Sequence, residues 1–421
     1  MIELKPKVNH AAKCPECSSE EVKITDVVFP GIHILANCDC QQCGFEFFQD
    51  LPTGHGLHFC MSIGIKNHQL YHYGEKNARC WFGKPLLESY KRAKHEKVNV
   101  EIKINKEKEE VILLNTLDSY YGHTLLRLFT AQRYLDMNTD LGLILIVPKE
   151  FENLIPEGCA EVWIVDINIK FMAEWYEDLN RIIHQELKRF EKVFLSPAIP
   201  HPDYSKIDIS RFSSVKPFDL AEFYEKPPYF TFVLREDQKL RIWFSNRLDH
   251  YFCRLISKLK LTKVFWKYFL YKQYRAVKKT IRILRRIYPN AEFAITGFGK
   301  LGSFQGYAHD YRITKPDPEY QTEYWFKTFA KSHVVIGVTG SNMFMPSAHA
   351  AGCIDIVYPF KLIGNLQDLF IRYYDIRQLF FYRYVHWCIK PWEVAKYAEV
   401  IIRDYRNFDI VSLTDIKTPV V

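Results

Sequence analysis

Apolar residues gather in short unbroken runs along most of this chain, the mark of strands covered on both faces in a parallel sheet. Val111–Leu114, Leu141–Val147, Glu161–Val165 and Val193–Ser196 are predicted strands, with helices expected over 122–136 and 172–189. A second series follows, with strands at Tyr229–Leu234, Glu292–Thr296, Val334–Val338 and Cys353–Tyr358 and helical stretches over 254–286 and 318–331. A last helix is predicted from Pro391, a residue suited to the first helical position. Alternating strands and helices predict two mostly parallel α/β halves, each Rossmann-like. Residues 1–105 differ: they hold short alternating strands such as Gly44–Asp50 and no long helical period, so a small β-rich module is expected. The charged run Asn105–Glu110 marks its end. The Pro-, Ser- and Asp-rich stretch 200–228 reads as a linker between the halves. The expected organisation is a module over 1–105, an α/β domain over 106–225, and a second over 226–390 with a cleft between the two. A helix over 391–421 is expected to pack back across them.

Composition narrows the class without choosing a function. The 421 residues are 48% hydrophobic and 25% charged, enough apolar material for two cores. No apolar run approaches the ~20 residues of a membrane-spanning helix, and the first residues lack the apolar segment of a secretory leader, so a cytoplasmic protein is expected. A net charge of +8 suits a nucleic acid, an anionic membrane or a phosphorylated substrate alike.

Cysteine usage is more selective. Five of the eleven cysteines fall in the first 43 residues, which favours a metal in a reducing compartment over disulfides. Cys14-Pro-Glu-Cys17 and Cys40-Gln-Gln-Cys43 are two C-x2-C pairs joined by enough chain for a returning hairpin, and Gly44 suits a tight knuckle after the second. Four thiolates so placed predict a tetrahedral zinc ribbon, with Cys38 a spare or an alternative to Cys40. Such a zinc has no open coordination position and is structural, stapling a segment too small to hold a core of its own. No dense basic cluster adjoins these cysteines, so nucleic acid is not an expected partner of the module.

Candidate chemistry sits where predicted strands end. Val334–Val338 runs into Thr339-Gly340-Ser341-Asn342 and then an apolar helix; small residues at that turn let backbone N–H groups approach an anion at the helix N-terminus. Arg235 and Arg241 follow the strand Tyr229–Leu234, and Gly297-Phe298-Gly299-Lys300 follows the next, where open α/β sheets hold ligands. A GxxxxGK[ST] phosphate loop is absent, which counts against a kinase-like site.

Three of these stretches resemble glycosyltransferase family 61 and its relatives, nucleotide-sugar enzymes of the GT-B fold. Tyr120–Phe129 (YYGHTLLRLF) is similar to the family's opening helix, Arg235 and Arg241 to the paired arginines of its C-terminal half, and Val335–Phe344 (VIGVTGSNMF) to its donor loop. The resemblance covers 111–410 and departs from the family pattern at Thr339, where His is usual, and at Ser341-Asn342, where Ala-Gly is common. It implies an inverting transfer, without a catalytic metal, from a nucleotide-sugar donor to a glycan or lipid-linked acceptor, as in polysaccharide biosynthesis. On this reading Arg235, Arg241, Gly297, Lys300, Thr339, Gly340, Ser341 and Asn342 bind the donor. Fixed donors there would stabilise the charge that grows on a departing diphosphate.

The acceptor hydroxyl must lose a proton, and Asp118 and His123, just past the strand Val111–Leu114, are the candidate bases. Asp118 equally suits a helix cap, and His123 a structural hydrogen bond. Finally, Arg254 to Arg286 holds lysines, arginines and six aromatics without one acidic residue. That pattern fits a helix packed on the sheet, a peripheral contact with anionic lipid, or RNA. Two rival functions remain at this point: a zinc-ribbon nucleic-acid-binding protein on a non-catalytic α/β scaffold, and a nucleotide-sugar epimerase.

Overall fold

In the computed structural model, residues 1–72, 78–199, 202–203, 206–236, 242–358 and 381–407 are described. Arg241 lies outside them. The chain forms two compact units, Met1–Pro202 and Asp203–Val421. Among the described residues no helix is long and apolar enough to cross a membrane.

The first unit holds two sheets. Strand β1 (Ile2–Lys5) is followed by an antiparallel meander of β2 (Val22–Val28), β3 (Leu35–Cys40), β4 (Glu46–Asp50), β5 (Met61–Gly64) and β6 (Leu70–His72). Helix α1 (Lys84–Lys91) and β7 (Val100–Ile104) lead into the apolar strands β8 (Glu110–Asn115), β9 (Gly142–Pro148), β10 (Glu161–Val165) and β11 (Lys192–Leu195). Helix α2 (Tyr121–Met137) joins β8 to β9, and α3 (Glu177–Leu187) joins β10 to β11. The sheet order is β1-β11-β8-β9-β10-β7, with the four central strands parallel and both edges antiparallel.

Residues 1–105 are therefore woven into the α/β sheet rather than set beside it: β1 and β7 are its two edge strands. Cys14, Cys38, Cys40 and Phe47 share one core with Val111, Leu113, Trp163 and Leu179. The reason is geometric. The central strands are apolar on both faces, so the second face needs a cover, and the meander supplies it.

Among its described residues the second unit contains six parallel strands: β12 (Tyr229–Arg235), β13 (Glu292–Phe298), β14 (His309–Asp310), β15 (Val334–Val338), β16 (Gly352–Val357) and β17 (Tyr382–His386). Their order, β14-β13-β12-β15-β16-β17, is the 3-2-1-4-5-6 order of doubly wound nucleotide-binding sheets. Two helices, α4 (Arg247–Lys258) and α5 (Thr262–Ile287), connect β12 to β13. A helical stretch from Pro318 ends in α6 (Lys327–Lys331) before β15, and α7 (Phe344–His349) connects β15 to β16. Helix α8 (Pro391–Arg403) packs on α5 and buries Val394, Ala398 and Ile401 in the core of its own unit.

Candidate active site

In the first unit the chain runs from β8 outward to β9 and β10 and returns to β11 on the other side of β8, so the carboxyl ends of β8 and β11 flank a switch point. Open α/β sheets form crevices at such points. Asp118 lies just past β8 and is buried. Its Oδ1 accepts from the Tyr120 backbone N–H at 3.1 Å, an Asx turn leading into α2, whose N-cap Tyr120 has no side-chain cap, so Asp118 does not take the expected capping role. The same carboxylate also faces His123 Nδ1 at 3.2 Å and the guanidinium of buried Arg127 at 2.8 Å. Burial opposes a charge on Asp118, but Arg127, then His123 and His55, outweigh it and hold the carboxyl down at about 2. Asp118 is thus a fixed anion, too acidic to take a proton at neutral pH.

His55 completes the group, and sequence reasoning missed it. It stands on the turn Gly54–Leu57, which is fastened to the end of β11 by Thr53 Oγ1 donating to the Ser196 carbonyl at 3.0 Å and by the Gly54 N–H donating to Pro197 at 2.7 Å. Gly54 has φ +55, and a Cβ there would lie 2.6 Å from the Arg127 guanidinium. Glycine is needed to bring this turn down onto the arginine. His55 Nε2 is 3.2 Å from His123 Nδ1, so one Nδ1–H of His123 can be shared between His55 and Asp118. That tautomer leaves His123 Nε2 with its lone pair, on a side chain that keeps 37% of its surface. Exposed Tyr120 and Trp81 flank the pair, with Tyr120 5.2 Å from the His123 ring and Trp81 5.2 Å from the His55 ring. The donor atoms of His55, Asp118 and His123 lie within 4.8 Å of one another, a spacing that a cation could bridge. Arg127 already neutralises Asp118, which disfavours a second positive charge there.

A second buried pair lies close by. His33 Nδ1 is 2.9 Å from Asp50 Oδ2. Burial raises the Asp50 carboxyl above its usual range despite His33 and Arg127, the reverse of Asp118.

In the second unit the order of strands reverses between β12 and β15, and the expected donor residues other than Arg241 lie at the carboxyl ends of β12, β13 and β15. Arg235 ends β12, its guanidinium 5.3 Å from the centre of the Phe298 ring. Gly297 has φ +110, and a Cβ on it would sit 1.8 Å from the Leu234 carbonyl oxygen, so this glycine is required by the close approach of β12 and β13. Gly297→Ala is expected to destabilise the protein by ~3 kcal/mol or more, measured by urea unfolding. Lys300 is exposed on a loop that Glu236 anchors: its carboxylate accepts from the Leu301 N–H at 3.0 Å and pairs with buried Arg312 at 2.5 Å. Thr339 is buried, and its N–H donates to Ile356 at 3.0 Å, which removes it as a backbone donor to a ligand. Gly340, at φ +149, turns the chain into the helical turn Ser341–Met343, whose first N–H groups have no partner within the turn itself. Asn342 turns its side chain back, Nδ2 donating to Val338 at 3.3 Å. The following helix α7 is only six residues long and wholly buried, shorter than the sequence suggests.

The four cysteines Cys14, Cys17, Cys40 and Cys43 come together, with Sγ atoms 3.6 Å apart for Cys14–Cys43 and 3.5 Å for Cys17–Cys40. These separations are far beyond a disulfide and near the ~3.8 Å edge of a tetrahedron with Zn–S bonds of ~2.3 Å. Both pairs turn as knuckles: Ser18 N–H donates to Cys14 and Gly44 N–H to Cys40, each at 3.0 Å, with φ +62 at Ser18 and +70 at Gly44. The cluster could hold a metal. Cys38 takes no part; it is buried, its thiol points at the Ala36 carbonyl, and burial pushes it up to about 12.

No family model matches the chain. No curated protein matches it either. Among solved structures, one described as trehalose-6-phosphate from E. coli bound with UDP-2-fluoro glucose aligns over 75% of this chain and 74% of its own length, at 12% identity. Its TM-score of 0.21 is too low to bear on fold or chemistry.

Proposed function

We propose that this chain is a glycosyltransferase that moves a sugar from a nucleotide-sugar donor to a hydroxyl of a glycan or glycoconjugate. The observation that carries this reading is the His123–Asp118 pair: a half-exposed imidazole oriented by a buried, ion-paired carboxylate at the switch point of a parallel sheet, with exposed Tyr120 and Trp81 beside it. His123 Nε2 takes the acceptor proton while Asp118 holds the ring and stabilises the imidazolium that forms. Tyr120 and Trp81 offer flat apolar faces to a sugar ring. In the second unit, Arg235, Ser341 and the N–H groups that open the turn at Gly340 are the proposed contacts of the donor diphosphate, with Lys300 a further cation on the neighbouring loop. The family 61 resemblance and its inverting, metal-independent chemistry belong to the same proposal. The four cysteines are proposed to hold a structural zinc.

A thermal-shift screen against UDP-, GDP-, CMP- and dTDP-sugars tests the reading. One nucleotide class is expected to raise the melting temperature, since ligand at a hundredfold over Kd stabilises the native state by ~2.7 kcal/mol. Indifference to all four, at concentrations well above those of typical donors, would reject it.

A further inference from the structure

Helices α4 and α5 present a second apolar face in addition to the one they bury. On α4, Cys253 and Ile256 are buried, whereas Leu248, Tyr251, Phe252, Leu255 and, at the helix end, Leu259 are exposed. The exposed set recurs at i, i+3, i+4, i+7 and i+11, the spacing of one helix face. Leu261, just before α5, and Val264, Tyr268 and Tyr271 on it continue the stripe. Leu248 and Val264 keep 73% and 71% of their surface. The two stripes adjoin, because the Phe252 ring lies 5.7 Å from Phe265 and 6.3 Å from Tyr268. Monomeric soluble proteins rarely leave so large an apolar patch in water.

The charge around the patch has one sign. Arg254, Lys258, Lys260, Lys263 and Lys267 are exposed beside it. From Arg247 to Ile287 there are thirteen lysines and arginines and a single carboxylate, Asp249, which lies 3.5 Å from Lys272. A cavity of 1790 Å³ begins at Asn246 and Arg247 and follows α5 past Arg275 and Lys279 to Arg282, extending the positive surface away from the apolar stripe.

We propose that the α4–α5 hairpin is a docking surface for an anionic lipid bilayer. Leu248, Leu255 and Val264 enter the acyl boundary, while the flanking lysines and the basic cavity take headgroup phosphates. An apolar protein partner would cover the leucines and leave the cations without counter-charge. A nucleic acid would neutralise the cations and leave the leucines in water. An anionic bilayer satisfies both. The inference stands apart from the sugar-transfer reading and does not depend on it.

Sedimentation of the full chain with vesicles of phosphatidylcholine alone, or mixed with phosphatidylglycerol, tests the docking. Pelleting is expected with the anionic vesicles, roughly tenfold weaker with the neutral ones, and reduced by salt. Leu255→Asp with Val264→Asp, both outside the core, is expected to abolish pelleting at an unchanged melting temperature. Lys258→Glu with Lys263→Glu is expected to weaken it about tenfold and to flatten its salt dependence. Equal or absent pelleting on the two vesicle types overturns the proposal. So does a parent chain that is dimeric in solution and becomes monomeric in the aspartate variant, which assigns the face to a second copy. Binding of single-stranded oligouridine that anionic vesicles fail to displace overturns it as well.

Discussion

His123→Ala is expected to lower the turnover of sugar transfer by ~10²–10⁴-fold, the usual worth of a positioned general base, and to leave stabilisation by the nucleotide-sugar donor as in the parent. Steady-state kinetics and the thermal-shift assay read the two effects separately. Full turnover in His123→Ala would remove this residue from the chemistry. Asp118→Asn is expected to act on both turnover and stability, since the amide no longer fixes the imidazole and leaves buried Arg127 without a counter-charge. The sign of the pH effect follows from the folded value of about 2, below the ~3.9 of a free aspartate. The carboxylate's contribution is complete above pH ~4 and is lost as pH falls through ~2, so parent and variant should differ by roughly 2 kcal/mol at pH 7 and converge near pH 2. Urea unfolding at the two pH values measures it. Equal stability of parent and variant at pH 7 would show that the ion pair with Arg127 contributes nothing.

Removal of the zinc proposed for the four-cysteine cluster is expected to unfold much more than two knuckles. Cys14 and Cys40 lie in the same core as Val111, Leu113 and Trp163 of the central strands, so the loss should spread through the Met1–Pro202 unit. Structural zinc contributes on the order of 10 kcal/mol to small domains, comparable to the whole ~5–15 kcal/mol by which native folds are stable. Elemental analysis should find one zinc per chain, and Cys17→Ser or a strong chelator should abolish amide protection in β8 and β9 as well as in β2 and β3. Cys38→Ala, by contrast, is expected to keep the zinc and lose ~1–2 kcal/mol of packing. Unchanged protection in the chelated protein would deny the metal any structural role.

Much of the α/β framework was legible because its strands are buried on both faces. Glu161–Val165 and Val334–Val338 form over the predicted residues, β8, β12 and β13 agree within two residues at each end, and α8 starts at the predicted Pro391 but ends at Arg403, well short of the expected 421. The edge strands β1 and β7 escaped notice because one side of each is polar and their pairing with β11 and β10 is antiparallel and long-range. Strand β17 was missed for a like reason, since its burial is interrupted at Arg383, Tyr384 and His386. The candidate site was only half legible. Asp118 and His123 announced themselves by following an apolar strand, whereas His55 is 68 residues from His123 and reaches it through contacts no local pattern encodes. Its local signal was the run Thr53-Gly54-His55-Gly56, where two glycines around a histidine mark a tight approach. Gly297 was legible as a special position but not as a steric one, because the obstructing carbonyl of Leu234 belongs to the neighbouring strand.

The pairing of β1 with β11 and of β7 with β10 sets a limit on how this chain can be cut. A fragment starting near residue 106 would bare both flanks of its four parallel strands, each a row of unanswered amide and carbonyl groups ready to recruit another copy. Aggregation of such a fragment on expression would reflect its missing border strands, not an inability of the remaining sequence to fold.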